Sequence, residues 1–259
     1  MRKFKSTNPC YCDPPGAFRE ILSHPVLPES KAIEQATFKE HRFAFFYWYK
    51  WYKDLTKLSH SVKPPTLITI DYHRDLAVPS DREKTELLEV ERFSDSELAI
   101  FCWARMNTQN DGHILSAAFL NIIGDIILLK QQDRSVDKED LTFIDNYNNK
   151  HNIYEFDNID KFESFILSYE TENIFLDIDL DYFISHPGHY MHSEGYITMN
   201  DDEISNIINP SRPYLKKIYN FLEGITIATE PKHCGGIINS CKILFSIENQ
   251  LFSDGKKWK

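Results

Sequence analysis

Apolar residues along this chain fall into short unbroken runs that stop at polar turns, separated by longer segments in which they recur every three or four positions. The first pattern is that of strands buried on both faces, the second that of helices packed over them. Residues 1–30 carry Pro9, Pro14, Pro15, Gly16, Pro25 and Pro28 and read as irregular. From about Glu34 to Leu55 the chain reads as a helix with Phe43, Phe45, Phe46, Tyr47, Trp48, Tyr49, Trp51 and Tyr52 on most of its faces, so two sides should be buried. After Pro64 and Pro65, the run Thr66–Ile70 has the β-branched content of a central parallel strand.

Ser94-Asp-Ser-Glu97 has the form of a capping box and predicts a helix through about Met106. A further helix is expected from near Gly112 to about Asn121, then a strand over Asp125–Leu129 and a polar surface excursion over residues 131–150. Tyr154–Phe156 reads as a short strand, Ile159–Tyr169 as a helix and Ile174–Ile178 as a second buried strand. The stretch from His186 to Asn209 has little periodicity and reads as a loop with a short helix. Pro213 opens a helix to about Glu223 with Gly224 as its terminator, Ile225–Thr229 is a last strand, and Gly235-Gly236 precedes a final amphipathic helix to about Phe252. Strands thus alternate with helices, which predicts an α/β protein with three α/β/α layers and a mostly parallel central sheet, as a single domain over residues 1–259.

With 259 residues, 42% of them hydrophobic, the chain can bury a large core. A formal net charge of −10 argues against a nucleic-acid partner and mildly favours a cationic one. Lys256-Lys257-Trp258-Lys259 reads as a solvated tail. No apolar stretch has the length of a signal peptide core or a membrane span, so a cytoplasmic protein without a membrane partner is expected. Five cysteines fit a reducing compartment, and Cys10-x-Cys12 lacks the second pair that a zinc site needs.

The candidate chemistry sits where two apolar runs end. Thr66–Ile70 runs into Asp71-Tyr-His73-Arg-Asp75, and Ile174-Phe-Leu into Asp177-Ile-Asp179-Leu-Asp181. In extended chain, residues i and i+2 face the same way, so Asp71 with His73 and Asp177 with Asp179 can share a cavity. In an open parallel sheet ligands bind beyond the carboxyl ends of the strands, where both motifs lie. Alone, either motif reads equally as a capped turn or an exposed strand end. Together, buried carboxylates on two strands require positive charge between them. Asp71, Asp75, Asp177 and Asp179 balance two divalent ions of the manganese, iron, cobalt or zinc kind.

These residues resemble the arginase and histone-deacetylase superfamily, with its aspartate-x-histidine-x-aspartate motif after one strand and aspartate-x-aspartate after another. The stretches Ile70-Asp-Tyr-His-Arg-Asp-Leu76 and Leu176-Asp-Ile-Asp-Leu-Asp-Tyr-Phe183 are similar to a small branch that includes peptide arginases, which convert arginine residues within ribosomally made peptides to ornithine. The likeness spans roughly residues 35 to 250 and implies an arginase-like fold and two divalent ions, manganese first among them. It implies that Asp71 and Asp177 bridge the ions, that His41 and Asp75 complete the first site, and that His73 and Asp179 complete the second. His113, in Asn110-Asp-Gly-His113, would shuttle a proton to the leaving amine. Asp179 would help stabilise the tetrahedral intermediate, and Glu230 would hold the substrate guanidinium through paired hydrogen bonds. For His41 the other reading is a packed core residue, for His113 a helix-end contact and for Glu230 an ordinary strand end.

The chain departs from the family in showing Phe38-Lys-Glu-His41 where a glycine-glycine-aspartate-histidine form is usual, and in carrying Asp181, which is expected to hydrogen-bond a ligand histidine. His186, His189 and His192 show no ligand spacing and are expected to face solvent or substrate. Residues 1–30 and 186–209 are candidates for a rim that takes an arginine-containing peptide. The rival activities are a ureohydrolase of free arginine or another guanidino compound, and a deacetylase-like amide hydrolase. A third possibility is a metal-stabilised protein that binds arginine without turning it over.

Overall fold

The computed structural model describes residues 12–24, 26, 31–59, 62–131, 141–185 and 196–251. The expectations for Cys10, for His186, His189 and His192, and for the lysines of the tail lie outside these residues. An eight-stranded sheet forms the middle layer. In chain order its strands are β1 (Phe18–Ser23), β2 (Ala32–Phe38), β3 (Thr66–Asp71), β4 (Ile126–Lys130), β5 (Thr142–Ile144), β6 (Lys150–Phe156), β7 (Ile174–Asp179) and β10 (Leu222–Ala228). A separate two-stranded ribbon joins β8 (Ile184–Ser185) to β9 (Ile197–Thr198). Across the large sheet the order is β1-β2-β10-β7-β3-β4-β6-β5, parallel except for the two edge pairs β1 with β2 and β5 with β6.

Alternation along each central strand divides the molecule into layers. Leu67 of β3, Ile126 of β4 and Phe175 of β7 face a core built with α1 (Ala44–Leu58), α2 (Asp81–Leu87), α3 (Asp95–Ala104) and α4 (His113–Phe119). Ile68 and Ile70 of β3, Leu176 and Ile178 of β7 and Ile225 of β10 face a second core with α5 (Ile159–Ser168), α6 (Asp201–Ile207), α7 (Pro213–Phe221) and α8 (Ile237–Leu251). The result is the three-layer α/β/α architecture with a mostly parallel sheet. The chain leaves β3 for β4 and β6 on one side, then returns with β7 to the other side of β3. That reversal opens a crevice at the carboxyl ends of β3 and β7, the place where such sheets bind ligands.

The capping box before α3 is present: Glu97 N donates to Ser94 Oγ at 3.3 Å and Ser94 N to Glu97 Oε2 at 2.8 Å. Among the described residues no helix is long and apolar enough to cross a membrane. Several boundaries differ from the sequence pattern. The irregular N-terminal segment contains β1, and residues 34–38, expected to be helical, belong to β2. Ile33, Ala36 and Phe38 bury their side chains while the backbone pairs with β1 on one side and β10 on the other. The helix starts only after Glu40, whose extended backbone ends the strand run, and after a 3-10 turn over His41–Phe43. The polar segment after Pro79 forms α2, capped by Ser80. The excursion over residues 131–150 contains β5 and the start of β6.

Gly224 does not terminate α7. It lies inside β10, paired with Glu34 and Phe175, and an added Cβ would sit 2.4 Å from Cε3 of Trp51. The indole of α1 therefore lies flat where any side chain would project. Replacing Gly224→Ala forces that ring or the strand to move, and we expect a loss of about 1–3 kcal/mol in denaturant unfolding. An unchanged midpoint would show that Trp51 does not pack as described.

Candidate metal centre

β3 and β7 deliver their acidic ends side by side, because Ile70 pairs with Ile178 and Asp71 and Asp179 both follow that pair. Each uses the same local device. Asp71 Oδ1 accepts from the backbone N–H of His73 at 2.6 Å, and Asp179 Oδ1 from that of Asp181 at 3.0 Å. The amide two residues on thus holds one oxygen and leaves Oδ2 to face the crevice. Asp181 is fixed similarly, its Oδ1 accepting from Tyr72 N at 3.2 Å.

His41 reaches this cluster from the turn before α1. Its Nδ1 is 3.0 Å from Asp75 Oδ2, 3.0 Å from Asp179 Oδ2 and 3.5 Å from Asp71 Oδ2. Its Nε2 is 2.8 Å from Asp177 Oδ2. An imidazole that donates Nε2–H to Asp177 can present a lone pair on Nδ1 to a metal ion; without an ion, a proton on Nδ1 or on the facing carboxylates relieves the repulsion. The buried Nδ1 of His41 and Oδ2 of Asp71 and of Asp181 make close charged approaches but no well-aligned hydrogen bond among the described residues. An imidazole oriented by a carboxylate through its far nitrogen, amid inward-facing carboxylate oxygens, fits the donor set of a divalent metal.

Asp177 stands apart from this set. The sheet register aligns Thr69, Asp177 and Thr226 across β3, β7 and β10. Thr69 donates to Asp177 Oδ2 at 2.9 Å and Thr226 to Oδ1 at 2.5 Å, while Trp48 Nε1 donates to the Thr226 hydroxyl at 3.2 Å. The carboxylate expected to bridge the ions, Asp177, is thus held by the two neighbouring strands. Its Oδ2 takes Thr69 and His41 and its Oδ1 takes Thr226, so it holds the imidazole through the far nitrogen. The inward-facing carboxylates of the second motif are one step further along, at Asp179 and Asp181.

Groups with donor atoms within 4.8 Å of one another are His41, Asp71 and Asp179; Asp71, His73 and Asp75; His41, Asp75 and His113; Asp179, Asp181 and Glu230; and His73, Asp181 and His233. His73 Nδ1 is 2.9 Å from Asp181 Oδ2. All the expected site residues therefore meet in one crevice, with Asp177 beneath it. Sequence reading missed Thr69, Thr226 and Trp48, whose contacts are made between strands and layers, and Asn110, Glu40 and His233. The Asn-Asp-Gly sequence before His113 was the one local sign of Asn110.

Beside Asp179 and Asp181 the wall of the crevice is Glu230, which is buried. Its Oε1 accepts from His41 N at 3.1 Å and from Asn110 Nδ2 at 2.8 Å, which fills that oxygen's two lone pairs. Oε2 is the oxygen left for a ligand, 3.7 Å from the half-exposed His233. His113 begins α4. Its Nδ1 lies 3.0 Å from Asn110 O, so Nδ1 carries the hydrogen, and the buried Nε2 has no partner among the described residues. Three of the five described non-glycine residues with positive φ line this crevice: Asp75 (48°), Asn110 (64°) and Glu230 (27°). Backbone strain of this kind persists where the surroundings over-determine it.

No protein-family model matches the chain, and neither does any curated protein. Among solved structures it is similar to Helicobacter pylori arginase, with 16% identity, a TM-score of 0.37 and coverage of 82% of this chain and 70% of that one. At that TM-score the likeness carries no weight for mechanism.

Without a cation the cluster resists ionisation. Burial, then Asp75, Asp181 and Asp179, holds the Asp71 carboxyl well above its usual range, and burial with Asp181 and Glu230 does the same to Asp179. Burial likewise raises Asp75 and pushes Glu230 up to about 7. Burial opposes a charge on His41, yet Asp177 and Asp179 raise its pKa well above 6.5. Burial and then His41 drive His113 well below 6.5. A group whose folded pKa is raised gives stability that is fully present below its unfolded value and lost as pH climbs through the folded one; the lowered His113 acts oppositely, losing stability below 6.5. The raised groups outnumber it. We expect the melting temperature of metal-free protein to fall between about pH 5 and pH 8, and saturating Mn²⁺ to flatten that fall. A flat profile without metal would contradict the charge crowding.

Proposed function

We propose that this chain is a binuclear-metal ureohydrolase that converts arginine residues of a peptide to ornithine residues with release of urea. The observation that carries the reading is the imidazole nitrogen of His41 facing three carboxylate oxygens within reach of Glu230 and His113. His41, Asp71, Asp75 and Asp179 would hold one divalent ion, and Asp71, His73, Asp179 and Asp181 the other. This moves the second motif by one step, with Asp179 in place of Asp177 as the shared carboxylate and Asp181 as a ligand. The ions, manganese by the family resemblance, supply Lewis-acid charge and lower the pKa of a water at neutral pH.

The protein's own groups do the rest. A guanidinium carbon is a poor electrophile because its charge is delocalised, so substrate must be held while water is deprotonated. Glu230 Oε2 accepts from the guanidinium and orients it, a use for a carboxylate that an amide hydrolase would not have. His113, neutral and with Nε2 free, takes a proton from the water. It returns the proton to the substrate nitrogen as the bond from that nitrogen to the guanidinium carbon breaks. The products are urea and the ornithine amine. Peptide-borne arginine is supported by the branch that the two motifs resemble, and the net charge of −10 favours encounter with a basic peptide.

The test is mass spectrometry of arginine peptides incubated with manganese-loaded protein, together with a urea assay. Loss of one CN₂H₂ unit per modified arginine is expected; acetate release from an acylated lysine peptide, without urea, would replace this reading with the deacetylase one. Asp179→Ala should lose both metal and activity. Asp177→Asn, which spares the ligands, should weaken metal affinity by about 10–100-fold without abolishing it. Glu230→Gln should keep its metal and raise KM. Metal loss in Glu230→Gln, or none in Asp179→Ala, would overturn this division of roles.

A further inference from the structure

Asn110 touches both groups that act on the substrate in this reading, and does so with different parts of itself. Its side-chain Nδ2 donates to Glu230 Oε1 at 2.8 Å and to Glu40 Oε2 at 3.1 Å. Its backbone carbonyl is 3.0 Å from His113 Nδ1. An amide nitrogen set between two carboxylates fixes the rotamer, since an oxygen there would repel both. The backbone lies in the left-handed region, with φ at 64°, a conformation open to Asn and Gly and costly for most other residues.

The loop around Asn110 is built to hold that conformation. Asn107 Nδ2 donates to Asp111 Oδ1 at 2.6 Å and Asn107 Oδ1 accepts from Gln109 N at 2.8 Å. Asn107 N donates to the buried Glu83 at 3.3 Å, and Ala77 N donates to Asp111 O at 2.7 Å. Gly112 then turns into α4, and a Cβ there would stand 3.1 Å from Asn107 Cβ. The turn thus has its own supports on α2 and on the chain after β3.

We propose that Asn110 is the positioning residue of the site: its side-chain amide aims the Glu230 carboxylate at a guanidinium group, and its carbonyl holds His113 in the Nδ1–H tautomer. The proposal rests on the roles given above to Glu230 and His113. With Oε1 pinned by Asn110 and His41 N, Oε2 is presented in one orientation. With Nδ1–H pinned, Nε2 keeps the lone pair that receives a proton. One residue therefore sets substrate angle and proton direction together.

The two functions separate by substitution. Asn110→Gly keeps the left-handed backbone and its carbonyl but removes the amide, so KM should rise about tenfold or more while kcat stays within about threefold. Asn110→Ala removes the amide and also disfavours the backbone conformation, so kcat should fall about tenfold further. Metal content should stay unchanged in both. Nitrogen-15 NMR of the imidazoles should show Nδ1–H at His113 in wild type and Asn110→Gly, and a tautomer mixture in Asn110→Ala. A wild-type KM in Asn110→Gly, identical kinetics in the two variants, or an Nε2–H tautomer at His113 in wild type would each overturn the proposal. Absence of urea from the wild-type, metal-loaded protein would instead sink the ureohydrolase reading, and the NMR arm would still decide the His113 contact.

Discussion

The structure turns on the crowding of Asp71, Asp75 and Asp179 around one nitrogen of His41, with Asp181 next to Asp179. Four carboxylates in a protein interior repel one another and lose hydration, so the crevice must either take up protons or hold positive charge. Everything near it serves to keep the oxygens inward despite that repulsion. Backbone amides of His73, Tyr72 and Asp181 each take one oxygen and leave the other. The hydroxyls of Thr69 and Thr226 hold Asp177 so that it can take the far N–H of His41. A fold stabilised by two large apolar cores can carry such a destabilised site, because the strands that bear it are pinned on both faces by helices.

Location was legible in the sequence because the signals were local. An apolar run of β-branched residues followed at once by Asp-x-His-x-Asp, and a second followed by Asp-x-Asp-x-Asp, together point to buried strands that end in one acidic cluster, although either motif alone is ambiguous. The choice among Asp177, Asp179 and Asp181 was not legible, because all three alternate onto the same side. What sets Asp177 apart from the other two is a pair of threonines, one on β3 and one on β10, that the sheet register places beside it. Sequence spacing carries no trace of that register.

The misread boundaries have the same origin. Glu34 to Phe38 preceded a strongly aromatic helix and shared its apolar density, but the two free edges of β1 and β10 claimed this segment as a strand, and tertiary pairing overrode local preference. Gly224 read as a helix terminator on its position after Glu223. Its cause lies instead 173 positions away in Trp51, whose ring fills the volume of the missing side chain.

Strain and electrostatics meet at the same residues for a physical reason. Asp75, Asn110 and Glu230 leave the usual backbone regions where three separate connections turn sharply to bring side chains over one point. A regular strand end would send alternate side chains to opposite faces and could place only every second residue in the crevice. Left-handed turns after β3, before α4 and after β10 break that alternation. They let two carboxylates and an amide approach the crevice from its sides. The floor has its hydrogen-bond donors behind it and open oxygens in front, whereas the Glu230 wall has one oxygen filled and one free. On the proposed reading a cation with delocalised charge and planar N–H groups would suit that wall and compact divalent charge the floor, so donor geometry would sort the two kinds of positive charge.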